Sequence, residues 1–202
     1  VLLKRLLYTS ASILLLAPAF HLGASIASAT TVLYSSFGPG DTFDTTSGWS
    51  IGGSGACVQG LQFTPTESGV VETIEIAAFR LAGGTAVKLT LMTDAGDQLG
   101  SVLETLTICC FGDVAAIGLA NSILQPMLTG GTKYWLVVSA ATDADYFGWS
   151  RNFAAPFLLN AQQCFGQPWN INPSWRGTLR ISSDTSTPTK ATTWGRVKAL
   201  YR

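Results

Sequence analysis

Histidine is nearly missing from this sequence: the one copy, His21, sits in an N-terminal stretch that reads as a leader, and none follows it. Everything after residue 29 therefore lacks the base of a Ser-His-Asp or Cys-His nucleophilic site and the ligands of an H-E-x-x-H metal motif. Charge is scarce too, at 12% of residues, with 12 Asp+Glu balancing 12 Lys+Arg. All 12 acidic residues but only six of the basic ones fall between Thr30 and Asp184, which excludes the basic face of a nucleic-acid-binding domain. The four cysteines contain no C-x-x-C spacing, so nothing points to a zinc site. Gly52-Gly53-Ser54-Gly55 is followed by Ala56 and so misses the G-x-S-x-G frame of a nucleophile elbow; it reads as a loop.

At the N-terminus, Lys4 and Arg5 precede the apolar run Ile13 to Phe20, and small residues fill Ala24 to Ala29. That order predicts a helical secretory signal peptide over 1–29, cleaved after the A-x-A triplet formed by Ala27, Ser28 and Ala29. Pro18, His21 and Gly23 interrupt the run, whereas a membrane-spanning helix needs about 20 apolar residues. The expectation is a secreted or cell-surface protein with no transmembrane span in the mature chain.

The remaining sequence is rich in what β-structure uses: 21 Gly, ten Phe, six Trp, five Tyr and many Ser and Thr. Alternation is clearest in Val70 to Leu81, where Ile74, Ile76 and Ala78 share a face. It recurs in Ala86 to Thr93 and, past the Asp94-Ala95-Gly96-Asp97 turn, in Ser101 to Ile108. These three read as a β-meander. Further strands are predicted at Thr31 to Ser36, Trp49 to Gly52, Val58 to Thr64, Lys133 to Ala140, Tyr146 to Asn152 and Trp175 to Ser182. Short strands at this spacing predict one all-β domain over 30–182, an antiparallel two-sheet β-sandwich of jelly-roll type, with a closed barrel as the alternative.

Several segments, in order, carry a resemblance: Phe37 to Thr42, Gly48 to Gly53, Leu61 to Pro65, Cys109 to Gly112 and Gly131 to Val138. Together they resemble the choice-of-anchor R type of secreted bacterial domain, whose members usually end in a sorting tail such as the PEP-CTERM type. The resemblance covers about Leu33 to Ser182 and implies export and surface association rather than an enzymatic activity. This sequence departs from that pattern at its end. Ser183 to Thr193 reads as a Ser/Thr/Pro linker, and 194–202 is a short basic aromatic tail with Trp194, Arg196, Lys198, Tyr201 and Arg202. Docking of that tail on sorting machinery is the partner expectation it raises.

Four cysteines in an exported chain point to disulfides. Cys109 and Cys110 are adjacent, so each bonds a distant partner or the two form a vicinal bridge. The favoured pattern links them to Cys57 and Cys164, because long loops gain most from closure. Carboxylate-only catalysis would need two acids in one groove, for which the candidates are Glu67, Glu72, Glu75 and Glu104 with the eight Asp; Glu75 and Glu104 lie in predicted strands and could face one concave sheet. No cofactor is implied beyond a structural calcium ion, for which turn carboxylates offer oxygens: Asp143 with Asp145 first, then Asp41 with Asp44 and Asp94 with Asp97.

The densest constellation is aromatic. Tyr146, Phe147, Trp149, Phe153, Phe157, Phe165, Trp169 and Trp175 fall within thirty residues, among side-chain amides that include Asn170 and Asn172. Sugars stack on such rings while amides bond their hydroxyls, so Trp149, Trp169, Trp175, Asn170 and Asn172 form a candidate glycan platform. The competing expectation makes Trp149 and Trp175 core residues of the sandwich. The overall reading is a non-enzymatic surface or matrix module whose partner is a surface glycan or a matrix component, with a glycan-cleaving enzyme as the rival.

Overall fold

The structure, a computed structural model, describes residues 30–154 and 157–184. The predicted signal segment with Ala27 and Ala29, and the tail from residue 185 onward, lie outside the described residues. Among the described residues fifteen strands are formed: β1 (Thr30–Ser35), β2 (Gly48–Gly52), β3 (Val58–Phe63), β4 (Gly69–Val70), β5 (Thr73–Ala82), β6 (Val87–Asp94), β7 (Leu99–Ile108), β8 (Ala116–Asn121), β9 (Met127–Leu128), β10 (Tyr134–Ala140), β11 (Tyr146–Asn152), β12 (Leu158–Gln163), β13 (Asn170–Ser174), β14 (Arg176–Gly177) and β15 (Arg180–Asp184). Among the described residues no helix is long and apolar enough to cross a membrane.

Two antiparallel sheets pack face to face, which is the predicted all-β sandwich. The six-stranded sheet runs β13-β12-β3-β10-β6-β7. The seven-stranded sheet runs β1-β15-β5-β11-β14, with β2 added to β11 and β8 added to β5. Among the described residues both sheets keep free edges, so they do not close into the alternative barrel. Strand alternation decides what enters the core. From one sheet come Leu61 and Phe63, Leu136 and Val138, Val87, Leu89 and Leu91; from the other come Ile74 and Ile76, Phe147 and Trp149, Trp49 and Ile51. Each such side chain, fully buried, is worth about 1.5 to 3 kcal/mol of transfer free energy, which is why the register is fixed: a one-residue slip would turn the whole set outward.

The predicted meander is corrected. β6 and β7 do form a hairpin, with Leu89 opposite Leu106, but β5 belongs to the other sheet, where it pairs with β8, β11 and β15. Gly83-Gly84 looks locally like a hairpin turn, yet it carries the chain across the sandwich. Gly83 has φ +80, open to glycine without strain, and the Gly84 N–H donates to Asp145 Oδ1 at 2.5 Å. The strand predicted over Trp175 to Ser182 is broken into β14 and β15, because Thr178 turns inward between them. Its hydroxyl donates toward the Ala77 and Ser150 carbonyls at 3.2 Å and accepts the Ala77 N–H at 2.8 Å. β15 also runs to Asp184, pairing with Thr30, so the strand includes the first two residues of the predicted linker.

The predicted disulfide pattern is corrected as well. Cys57 and Cys164 are joined to each other, with Cα atoms 4.2 Å apart, while Cys109 and Cys110 are free and exposed. The reason is register: β3 and β12 are neighbours with Val58 opposite Gln163, so Cys57 and Cys164 occupy the next rung of that ladder. Cys109 and Cys110 follow β7, the far edge of the same sheet, and are out of reach.

Candidate functional site

The sequence-predicted platform does not assemble. Trp149 is 0% exposed, packs edge-on against Trp49 at 5.4 Å between ring centroids, and donates its indole N–H to the Thr178 carbonyl at 2.8 Å. It is a core residue and offers no face to a sugar. Trp169 and Trp175 bracket β13, and six residues of extended chain separate them by about 20 Å, too far to form one stacking surface. Asn170 and Asn172 share a face of β13 and bond each other, Nδ2 of Asn172 to Oδ1 of Asn170.

What does assemble lies at the end of the sandwich where β11 leads to β12 and β13 to β14. Trp175 is flanked by Phe153, edge-on with centroids 5.1 Å apart, and by Phe157, tilted at 4.6 Å. Phe153 is 45% and Phe157 55% exposed, while Trp175 is half-buried beneath them. The Arg151 guanidinium lies 5.1 Å over the Phe153 ring and donates from Nη2 to Ser47 Oγ at 3.0 Å. Ser47 in turn donates to Asp44, which also accepts from the backbone and hydroxyl of Thr46. Those bonds, the Ser47 hydroxyl first, hold the Asp44 carboxyl down to about 2. Deeper in, the Nε atoms of Arg151 and Arg176 are buried with no hydrogen-bond partner among the described residues. Burial pushes the Tyr34 phenol up, and nearby Arg176 pulls partly back. The rings are not coplanar, so this is a rimmed aromatic knob with cationic groups beneath it rather than a flat platform. Phe153, Phe157 and Trp175 were visible in the sequence as part of the aromatic run. Arg151 and Arg176 were not, since a lone arginine in a strand carries no signal of its own.

The candidate catalytic acids separate. Glu75 lies on β5 in the seven-stranded sheet and pairs with Arg180, which also reaches Asp41 at 2.6 Å. Glu104 lies on β7 in the other sheet and is buried. Its carboxylate accepts from Ser122 Oγ and from the N–H groups of Ile123 and Leu124 at 2.6 and 2.8 Å. Both serve as structural fastenings, and they lie in different sheets.

The calcium candidates are engaged in the same way. Asp145 is buried and accepts the N–H groups of Gly84 and Thr142, and these bonds, Gly84 first, hold its carboxyl below the ordinary range. Asp143 is exposed in the adjoining turn. Asp94 Oδ1 accepts from Trp135 Nε1 and Gln62 Nε2, both at 2.7 Å, while its Oδ2 accepts the N–H groups of Gly96 and Asp97 at 3.0 Å. Gln62 and Lys133 also donate to Asp97. Among the described residues no group of three His, Cys, Asp or Glu side chains gathers as a metal site.

Fold and site together define a two-sheet β-sandwich with one internal disulfide among the described residues and an exposed aromatic end. No family model matches the sequence, and no curated protein matches it.

Proposed function

We propose that this chain is an exported, non-catalytic β-sandwich that acts as a structural or binding module at the cell surface or in the extracellular matrix. The observation that carries the reading is the commitment of many of its carboxylates: Glu104, Asp145, Asp94, Asp44 and the Glu75–Arg180–Asp41 group each hold a loop or strand in place. The Cys57–Cys164 bridge supports delivery to an oxidising compartment. The leader and the family resemblance point the same way. Expression of the tagged chain in a secreting bacterium tests it: the protein is expected outside the cytoplasm, processed after Ala29, and retention as an unprocessed cytoplasmic species refutes it.

A second reading is favoured by the aromatic end. Exposed Phe153 and Phe157 over Trp175, with Arg151 alongside, supply a ring face and a donor for one sugar unit. A glycan-array screen of the purified protein is expected to give binding that Phe157→Ala reduces at least tenfold, about 1.4 kcal/mol. Binding unchanged by that substitution removes the site, and an array without binding removes the reading.

A further inference from the structure

We propose that Cys109 and Cys110 are a reversible dithiol–disulfide couple, which closes on itself by exchange with a disulfide-bearing partner and reopens more readily than Cys57–Cys164. Of the four cysteines, two are joined and these two remain, both exposed, where β7 ends and the chain crosses to β8. In a strand, adjacent side chains point to opposite faces. Cys110 breaks that alternation with φ +73, a left-handed conformation that non-glycine residues rarely take. Strand geometry therefore does not hold these two adjacent, exposed side chains on opposite faces.

The conformation is imposed from both sides. Phe111 donates its N–H to the Thr85 carbonyl at 3.0 Å, and Arg80 donates its own to the Gly112 carbonyl at 2.7 Å. The Phe111 ring is buried, 6.4 Å from that of Phe147, and sits so close over Gly118 that a side chain there would collide with it. Anchored neighbours therefore hold a costly backbone geometry at the second of two adjacent free cysteines.

The chemistry balances within thiol–disulfide exchange. One thiol loses its proton and attacks the partner disulfide, giving a mixed disulfide and releasing one partner thiolate. The second sulfur, also deprotonated, then displaces the other partner thiolate and closes the ring. The pair loses two electrons and two protons, and the partner disulfide becomes two thiols. The Cys109 thiol holds that of Cys110 above the ordinary thiol range, so closure quickens as pH rises. Adjacent Cα atoms stand about 3.8 Å apart across a trans peptide, short of the usual span of a disulfide, so the closed ring is strained and easily reduced.

The couple is a property of this loop and does not rest on the delivery or the ligand of the chain. The test uses the purified full chain in mixtures of reduced and oxidised glutathione, quenched with acid, alkylated and mapped by mass. The peptide between Lys88 and Lys133 is expected to change from doubly alkylated to unalkylated with two hydrogens lost, in the monomer. That change is expected under more oxidising conditions than formation of Cys57–Cys164. Cys109→Ser and Cys110→Ser are each expected to stop at a mixed disulfide with glutathione. Double alkylation throughout the series overturns the proposal, as does a wild-type protein that halts at a glutathione adduct or a cross-linked dimer, or a ring that outlasts Cys57–Cys164. The wild-type protein alone decides each of these, whatever the variants do to folding.

Discussion

At opposite flanks of the sandwich the chain crosses from the seven-stranded to the six-stranded sheet or back, and the two crossings are built differently. On one flank β2 passes to β3 through the tight turn at 53–57. Gly52 and Cys57 exchange backbone hydrogen bonds there, and the Cys57–Cys164 bridge adds a covalent rung to the β3–β12 ladder. On the other flank β7 passes to β8 through Cys109 and Cys110, both free. Beyond them residues 114–132 contain no charged side chain at all. Val114, Leu119, Ile123, Leu124 and Met127 are exposed along this stretch, and among the described residues β8 pairs only with β5. Covalent closure is thus spent on one flank, and the other depends on hydrogen bonds.

The largest expected effect comes from cutting the fastened flank. The bridge closes a sequence separation of 107 residues. Its loss in Cys164→Ser is expected to cost about 2 to 5 kcal/mol in a urea unfolding titration, while Cys109→Ser changes stability by less than about 0.5 kcal/mol. Equal shifts for the two variants would erase the contrast between the flanks.

On the open flank the substitute for a covalent tie is Glu104. It reaches from β7 to the segment after β8 and takes three hydrogen bonds. Charge-assisted bonds of this kind contribute about 1.5 to 3 kcal/mol each, and removing the acceptor leaves buried donors unsatisfied. Glu104→Ala is expected to destabilise by about 3 kcal/mol. It should also accelerate amide exchange at Ile123 and Leu124 with little change at Gly52 or Cys57. Acceleration at both flanks would mean that they are one cooperative unit.

A smaller effect, confined to acid, tests a second fastening beside β2. The Asp44 carboxyl is held at about 2 by the hydroxyl of Ser47 and by Thr46. Because the folded value lies below the unfolded one, the contribution is complete above the ordinary carboxylate range and disappears as pH falls through about 2. Wild-type protein is therefore expected to show a higher Tm than Asp44→Asn at neutral pH, with the gap closing as pH drops toward 2. A gap independent of pH would assign the difference to packing instead.

How far these features were legible depends on the reach of the contact involved. Core strands were readable because alternation is local: Leu61 and Phe63 against Gln62, or Phe147 and Trp149 against Gly148, announce two faces. Alternation does not say which sheet a strand joins. β5 and β6 looked like hairpin partners because the group that redirects Gly84 is Asp145, sixty-one residues away. β8 went unread since Ala116, Gly118 and Ala120 present a weak apolar signal; at Gly118 the Phe111 and Ile108 side chains leave no room for a side chain. Cysteine pairing was open for the same reason, being fixed by the β3–β12 register. The aromatic run was visible, but its division between core and surface follows from β11 facing inward at Trp149 and from the chain leaving the sheet at Phe153.

The smallest expected effect concerns the uncharged stretch itself. Leu119 lies on β8, is 49% exposed and stands opposite Glu75 on β5. An exposed edge without charge invites pairing with other chains, and a lysine is the usual deterrent in natural sheets. Leu119→Lys removes little buried surface and brings a cation beside the Glu75 carboxylate, so its stability is expected to stay within about 0.5 kcal/mol of wild type. Solubility in concentrated solution is expected to rise, measured by light scattering against protein concentration. If solubility does not change, the open flank is already protected by its neighbours, and the contrast with the disulfide-tied flank reduces to the cysteines alone.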